Sequence, residues 1–126
     1  MKFQFSIFNF VSRWWQNKGF GIESRIDYDF LHDVIHEKLP YYAYATMRKE
    51  HPKDSERQHR QRELIYRVHN ALRDKDHRII QGVLKDNAQW QQLLRHPHVI
   101  TYDMQTLGIA IIDPKRYPAH YKILPV

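Results

Sequence analysis

The chain has 126 residues, 42% of them hydrophobic and 27% charged. That supports one hydrophobic core, is too short for a complete nucleotide-binding sheet plus a substrate domain, and is too apolar for a disordered chain. No cysteine is present, which excludes disulfide scaffolds, zinc ribbons, iron–sulfur clusters and thiol catalysis. Lys and Arg number 20 against 14 acids, a net charge of +6; this is a usual solubility margin that also suits acidic partners such as nucleic acid or anionic lipid.

Residues 1–126 read as a single domain with a helical lead-in (1–47), a basic helix region (48–78) and a strand–helix–hairpin end (79–126). Phe3, Ile7, Phe10, Val11 and Trp14 follow the spacing of one helix face, widened by Phe8 and Trp15, with Lys2, Asn9, Arg13 and Gln16 opposite. The spacing predicts an amphipathic helix packed on the core and stopped near Gly19, with peripheral membrane contact through its aromatic face as the alternative. Gln4, Ser6, Asn9 and Ser12 interrupt the apolar run, so neither a signal peptide nor a transmembrane segment is expected, and the location expected is cytoplasmic.

A second helix is expected from about Ser24 to Lys38. Ser24 serves as its N-cap, with Asp27 in an imperfect capping box, and Ile26, Phe30, Leu31, Val34 and Ile35 form its buried stripe. Pro40 ends it, and Tyr41, Tyr42 and Tyr44 follow as an aromatic cluster. From Arg48 to Arg78 ten basic residues face six acids, which places most of the net charge here. Glu50 to Gln58 reads as a linker. Asp54 or Ser55 caps a third helix with Leu64, Ile65, Val68 and Leu72 inward and Arg57, Arg60, Arg62, Arg67 and Arg73 around it. Ile79 to Leu84, around Gly82, reads as a short buried strand. Asp86 or Asn87 caps a fourth helix with Trp90, Leu93 and Leu94 inward, closed at His96-Pro97. Val99 to Tyr102 and Leu107 to Ile112 read as an antiparallel hairpin.

Several constellations carry candidate chemistry. His32 and His36 stand at i and i+4, as in H-E-x-x-H zinc sites, but Asp33 replaces the glutamate and no third ligand is nominated nearby. With nine histidines in the chain, chance pairs are expected, and no metal site is assigned. Gly19-Phe20-Gly21-Ile22-Glu23-Ser24 is close to G-x-G-x-x-G, yet a helix rather than a strand precedes it, so a helix stop is the simpler reading. The arginines could track a phosphate backbone while Tyr41, Tyr42 and Tyr44 stack bases. Interleaved acids argue instead for an ordinary solvated helix.

Two blocks carry a family resemblance. Gly19-Phe20-Gly21-Ile22-Glu23-Ser24, Tyr28, Val34, Ile35, Glu37 to Tyr44 and Leu64 to Asn70 make up the first. The second comprises Ile79 to Val83, Trp90, Val99 to Asp103, Leu107 to Asp113, Lys115-Arg116-Tyr117 and His120 to Ile123. Together they resemble the two ends of a bacterial family of Rossmann-type S-adenosylmethionine-dependent methyltransferases, over about three-quarters of the chain. The resemblance implies the family's last strands in the spatial order fifth, seventh, sixth. It also implies a missing centre: between Arg73 and Ile79 there is no room for the glycine-rich turn and the acid that hold the cofactor. No cofactor-binding or catalytic residue therefore carries over, and no cofactor is expected. The edge of the fifth strand would need a cover, supplied by the N-terminal helix, a second copy of the chain or a full-length relative.

The expected architecture is an α/β domain of three or four helices with a small three-stranded mixed sheet ending in a hairpin. The leading functional expectation is a non-catalytic, methyltransferase-like protein-interaction domain that uses its sheet edge. The alternatives are an RNA- or polyanion-binding module, with Tyr41, Tyr42, Tyr44, Arg57, Arg60 and Arg67 as its surface, and a methyltransferase active only through a site completed by an oligomer or partner.

Overall fold

The computed structural model describes residues 10–11, 13–19, 22, 24–38 and 41–124. Lys2, Phe3, Gln4, Ser6, Ile7, Phe8, Asn9, Ser12, Phe20, Gly21, Glu23, Leu39 and Pro40, named above, lie outside them. A helical segment through residues 13–17 is followed by α1 (Arg25–Phe30), which continues as a π-helical turn over Leu31–Ile35. Next come α2 (Tyr42–Glu50), α3 (Glu56–Ala71), β1 (Asp76–Gln81), α4 (Ala88–Leu94), β2 (Val99–Asp103), β3 (Leu107–Ile112) and β4 (Ala119–Lys122). The α/β class is as expected. The sheet has four strands rather than three, in the order β1-β3-β2-β4.

β3 runs antiparallel to both β1 and β2, and β4 is parallel to β2. The first three strands thus stand in the order first, third, second, and β4 makes the sheet mixed. One face carries Ile100, Tyr102, Ile109, Ile111, Tyr121 and Ile123 against Leu31 and Ile35 of the π turn and Leu64, Val68 and Leu72 of the third helix. The other face carries Ile80, Val99 and Ala110 against Trp90 of α4 and Leu84. The near-continuous apolar runs of β2 and β3 follow from burial on both faces.

Local signals act largely as the sequence predicts. Ser24 Oγ accepts from Asp27 N–H at 3.3 Å, and Asn87 Oδ1 accepts from Trp90 N–H at 2.8 Å. Ser55 and Gln58 form a reciprocal capping box, so α3 begins at once and the linker shrinks to residues 51–55. Gly82, at φ +106°, ends β1 earlier than expected and turns the chain so that Leu84 can bury. At Gly108 a Cβ would sit 2.5 Å from Trp90 Cζ3; the indole lies flat where any side chain would be.

Two burial patterns are corrected. Arg13, expected on the solvent face, is buried, while Phe10, Val11, Trp14 and Trp15 are exposed. The reason is that Arg13 Nη1 donates to the backbone oxygens of Asp103 (2.6 Å) and Ile123 (3.0 Å) and to Asp103 Oδ1 (3.0 Å). In α1, Ile26 is exposed and Asp27 is buried in its stead, because Asp27 has a partly buried cationic partner, described below. No helix among the described residues is long and apolar enough to cross a membrane.

Candidate functional site

The tyrosine cluster and the arginine helix come together at one groove. It encloses about 960 Å³, and its lining includes Lys18, His36, Lys38, Tyr41, Tyr44, Arg48, Arg60, Glu63 and Arg67. Tyr41 and Tyr44 meet edge to face at 5.2 Å between ring centres. Tyr66 of α3, which sequence reasoning missed as a partner, packs on both, at 6.3 and 6.0 Å. The Tyr41 hydroxyl donates to Glu37 at 2.7 Å, and that bond, ahead of desolvation, holds its ionisation above the ordinary value. Tyr42 and Arg57 are exposed and do not line the groove.

Most of the charge in the groove is already matched. Arg67 Nε and Nη2 donate to the carbonyls of Val34 (2.8 Å) and Ile35 (2.9 Å), and Nη1 donates to the Tyr44 hydroxyl (3.2 Å). These carbonyls end the π turn, where no backbone partner meets them among the described residues, so a cation there satisfies both hydrogen bonding and the helix dipole. Arg48 Nε donates to Glu63 at 2.8 Å, and its two terminal nitrogens reach Glu56 at 2.8 and 3.0 Å. These bonds raise the Arg48 pKa and hold that of Glu56 low; they tie α2 to α3. Arg62 pairs with Asp54 at 2.5 Å and so lowers the carboxylate's pKa. Arg57, Arg60 and Arg73 hold no hydrogen bond or ion pair with the described residues.

His32 and His36 do not converge. His32 Nδ1 pairs with Asp33 at 2.8 Å, and His36 Nε2 pairs with Asn17 Oδ1 at 2.8 Å. Burial, followed by the charges of His32, Lys18, Lys38 and Arg67, lowers the His36 pKa. Among the described residues, no group of three or more His, Asp or Glu side chains is placed to hold a metal ion.

A second polar centre was not legible in the sequence. Asp27, 2% exposed, receives Arg116 Nη1 on Oδ1 at 2.5 Å and Nη2 on Oδ2 at 2.9 Å. The Tyr121 hydroxyl donates to Oδ2 at 2.6 Å, and the Tyr102 hydroxyl donates to the Asp27 carbonyl at 3.0 Å. Burial and then the Asp27 charge push the Tyr102 pKa far up, so the Tyr102 phenol stays a neutral donor. Every group in this cluster is engaged by another, as in a structural lock.

The two sheet edges differ. At the β4 edge, Gln16 Oε1 accepts from Lys122 N–H at 2.6 Å, beside the Arg13 contacts. The described part of the N-terminal segment therefore docks at the end of β4, whereas the sequence suggested a cover on the first strand. At the β1 edge, Gly82 N–H donates to Thr106 C=O at 2.9 Å, in register with Ile80 opposite Gly108. That phase turns Arg78 and Ile80 toward β3 and leaves the backbone groups of His77, Ile79 and Gln81 pointing outward. Arg78 Nη1 takes the His77 carbonyl at 2.9 Å. Among the described residues no strand pairs with this edge.

Comparison with protein-family models, with curated proteins and with solved structures finds no match to this chain.

Proposed function

We propose that the chain is a non-catalytic, methyltransferase-like interaction domain that docks through the outer edge of β1. The observation that carries this reading is the unequal treatment of the two edges: the last amide of β4 is taken by Gln16, with Arg13 on the Asp103 and Ile123 carbonyls beside it, while β1 presents the outward amides and carbonyls of His77, Ile79 and Gln81, of which only the His77 carbonyl has a partner, Arg78, among the described residues. An edge in this state is a template for strand addition. The strand order β1-β3-β2, with β3 antiparallel to both neighbours, supports the same ancestry, since it is the order the resemblance implies for the sheet's end.

The occupant favoured is a second copy. A two-fold axis through Ile79 sets His77 against Gln81 of the partner and Ile79 against its own copy, so every outward group of one strand meets one of the other, the His77 carbonyl sharing its second lone pair beside Arg78. Half-buried Ile79 then gains an apolar neighbour. The experiment is sedimentation of the wild type and of Gln81→Pro, combined with calorimetric titration with S-adenosylmethionine. Gln81 is exposed and its N–H faces outward, so proline spares the β1–β3 ladder and blocks only the edge. A dimer that Gln81→Pro weakens at least tenfold, with no cofactor binding, is the expected result. A wild type that stays monomeric at high concentration overturns self-pairing. Saturable cofactor binding overturns the non-catalytic reading, and if confined to the dimer it establishes the alternative of a site completed by assembly.

One observation favours a second reading, a polyanion-binding module. Lys18, Lys38 and Arg60 stand exposed around the groove, with Arg57 exposed nearby on the same helix. Affinity for single-stranded RNA that falls steeply with salt, and is lost in Arg57→Glu/Arg60→Glu, would support it.

A further inference from the structure

Outside the groove and the lock, one pair of side chains is arranged for chemistry that neither uses. His69 lies in the last turn of α3 and His77 is the second residue of β1. Their rings approach with centres 5.1 Å apart, and in the metal-free chain His69 Nδ1 and His77 Nε2 share a hydrogen bond of 2.9 Å. The other nitrogen of His77, Nδ1, lies 2.8 Å from the Lys75 carbonyl. A carbonyl only accepts, so Nδ1 carries the hydrogen and Nε2 carries the lone pair in the neutral ring. That is the arrangement of a metal-ligating histidine, whose second nitrogen is held by a backbone carbonyl.

We propose that His69 and His77 form a two-imidazole chelate for a late first-row divalent metal ion, Cu²⁺ or Ni²⁺, with His69 Nδ1 and His77 Nε2 as adjacent ligands. His69 needs only the tautomer with hydrogen on Nε2. At a nitrogen spacing of 2.9 Å, two metal–nitrogen bonds of about 2.0–2.1 Å close an angle of about 90° once the two rings, which now lie end to end with centres 5.1 Å apart, turn off the nitrogen–nitrogen line. Adjacent positions of a square-planar or tetragonal site require that angle; a tetrahedral zinc site requires a wider one. Water supplies the remaining ligands. Both rings reach solvent, so the ion can enter without unfolding the chain, and the ligands come from two separate elements, so binding ties the end of α3 to the start of β1. The chelate lies within one chain and is independent of strand pairing at the β1 edge.

The test is titration of the purified chain with Cu²⁺ in a non-coordinating buffer, read by electron paramagnetic resonance and by the thermal midpoint. The wild type is expected to bind one tight equivalent with hyperfine structure from two nitrogens and to melt higher when loaded. His69→Gln and His77→Gln should each weaken that site at least tenfold and abolish the rise in melting temperature, with the far-ultraviolet circular dichroism unchanged. His51→Gln, at another exposed histidine, should leave both readouts as in the wild type. Equal binding by wild type, His69→Gln and His77→Gln would overturn the proposal by showing diffuse uptake over the other histidines. A preference for Zn²⁺ over Cu²⁺ in competition would overturn the assigned geometry.

Discussion

The Tyr121 hydroxyl donates to Asp27 Oδ2 at 2.6 Å, a bond between residues 94 positions apart. With the Arg116 fork on the same carboxylate, it pins α1 to the loop before β4 and to β4 itself. A carboxylate this deep is tolerated only because its oxygens are matched by a cation and a phenol.

Asp27→Ala should therefore destabilise the fold by about 2–4 kcal/mol, toward the lower end because Arg116 keeps some contact with water. Urea denaturation gives the value. A cycle with Arg116→Met should show strong coupling, the double variant being more stable than the two single losses summed. Additive effects would mean the pair is not a unit.

The arginines of α3 should separate into two classes. Arg67→Ala removes the partner of the Val34 and Ile35 carbonyls and should lower stability by about 1–3 kcal/mol. Arg57→Glu and Arg60→Glu should change stability by less than about 0.5 kcal/mol, as surface substitutions do. Thermal denaturation of the three variants distinguishes them, and equal losses would refute the division.

Acid should weaken the fold through two histidines. Burial first, and then nearby cations, lowers the His36 pKa, and burial alone lowers that of His120, both from 6.5. The unfolded chain then takes up protons first as the pH falls. Stability from these groups is full above about pH 6.5, declines as the pH falls toward their folded-state values, and levels off below them. The melting temperature of His36→Gln/His120→Gln should fall less steeply than that of the wild type between about pH 7.5 and 5.5. Parallel curves would assign the acid response to other groups.

Gly108→Ala should cost about 1–3 kcal/mol by overpacking, since the new methyl group would strike Trp90 Cζ3 at 2.5 Å. Trp90→Leu destabilises by itself, yet it should remove most of the further penalty of Gly108→Ala. Chemical denaturation of the four chains measures this; an undiminished penalty would place the strain in the strand backbone.

What was readable in the sequence was short-range. The stripe of Leu64, Val68 and Leu72, the caps at Ser24, Ser55 and Asn87, and the hairpin around Asp103 to Thr106 all depend on neighbours within a few positions. What was missed depends on partners far along the chain. Nothing near Ile26 or Asp27 signals that Arg116 will make the acid the buried residue. Nothing around Arg13 signals that carbonyls at 103 and 123 will draw its guanidinium inward. Helix α2 has no buried residue, so no apolar stripe marked it, and β4 is too brief for its alternation to stand out. In the groove, the clustering of Tyr41 and Tyr44 was visible, but the engagement of Arg67 was not.

The N-terminal segment is held by residues more than a hundred positions away, through Arg13 with Ile123 and Gln16 with Lys122. During synthesis these partners emerge more than a hundred residues after the segment that they hold. Until they do, Arg13 has no carbonyls to bind, and the aromatic residues beside it remain attached to an unanchored helix. Docking of the N-terminal segment thus waits for residues 122 and 123 to emerge, and the nascent chain before that moment is the form most exposed to chaperones and to aggregation.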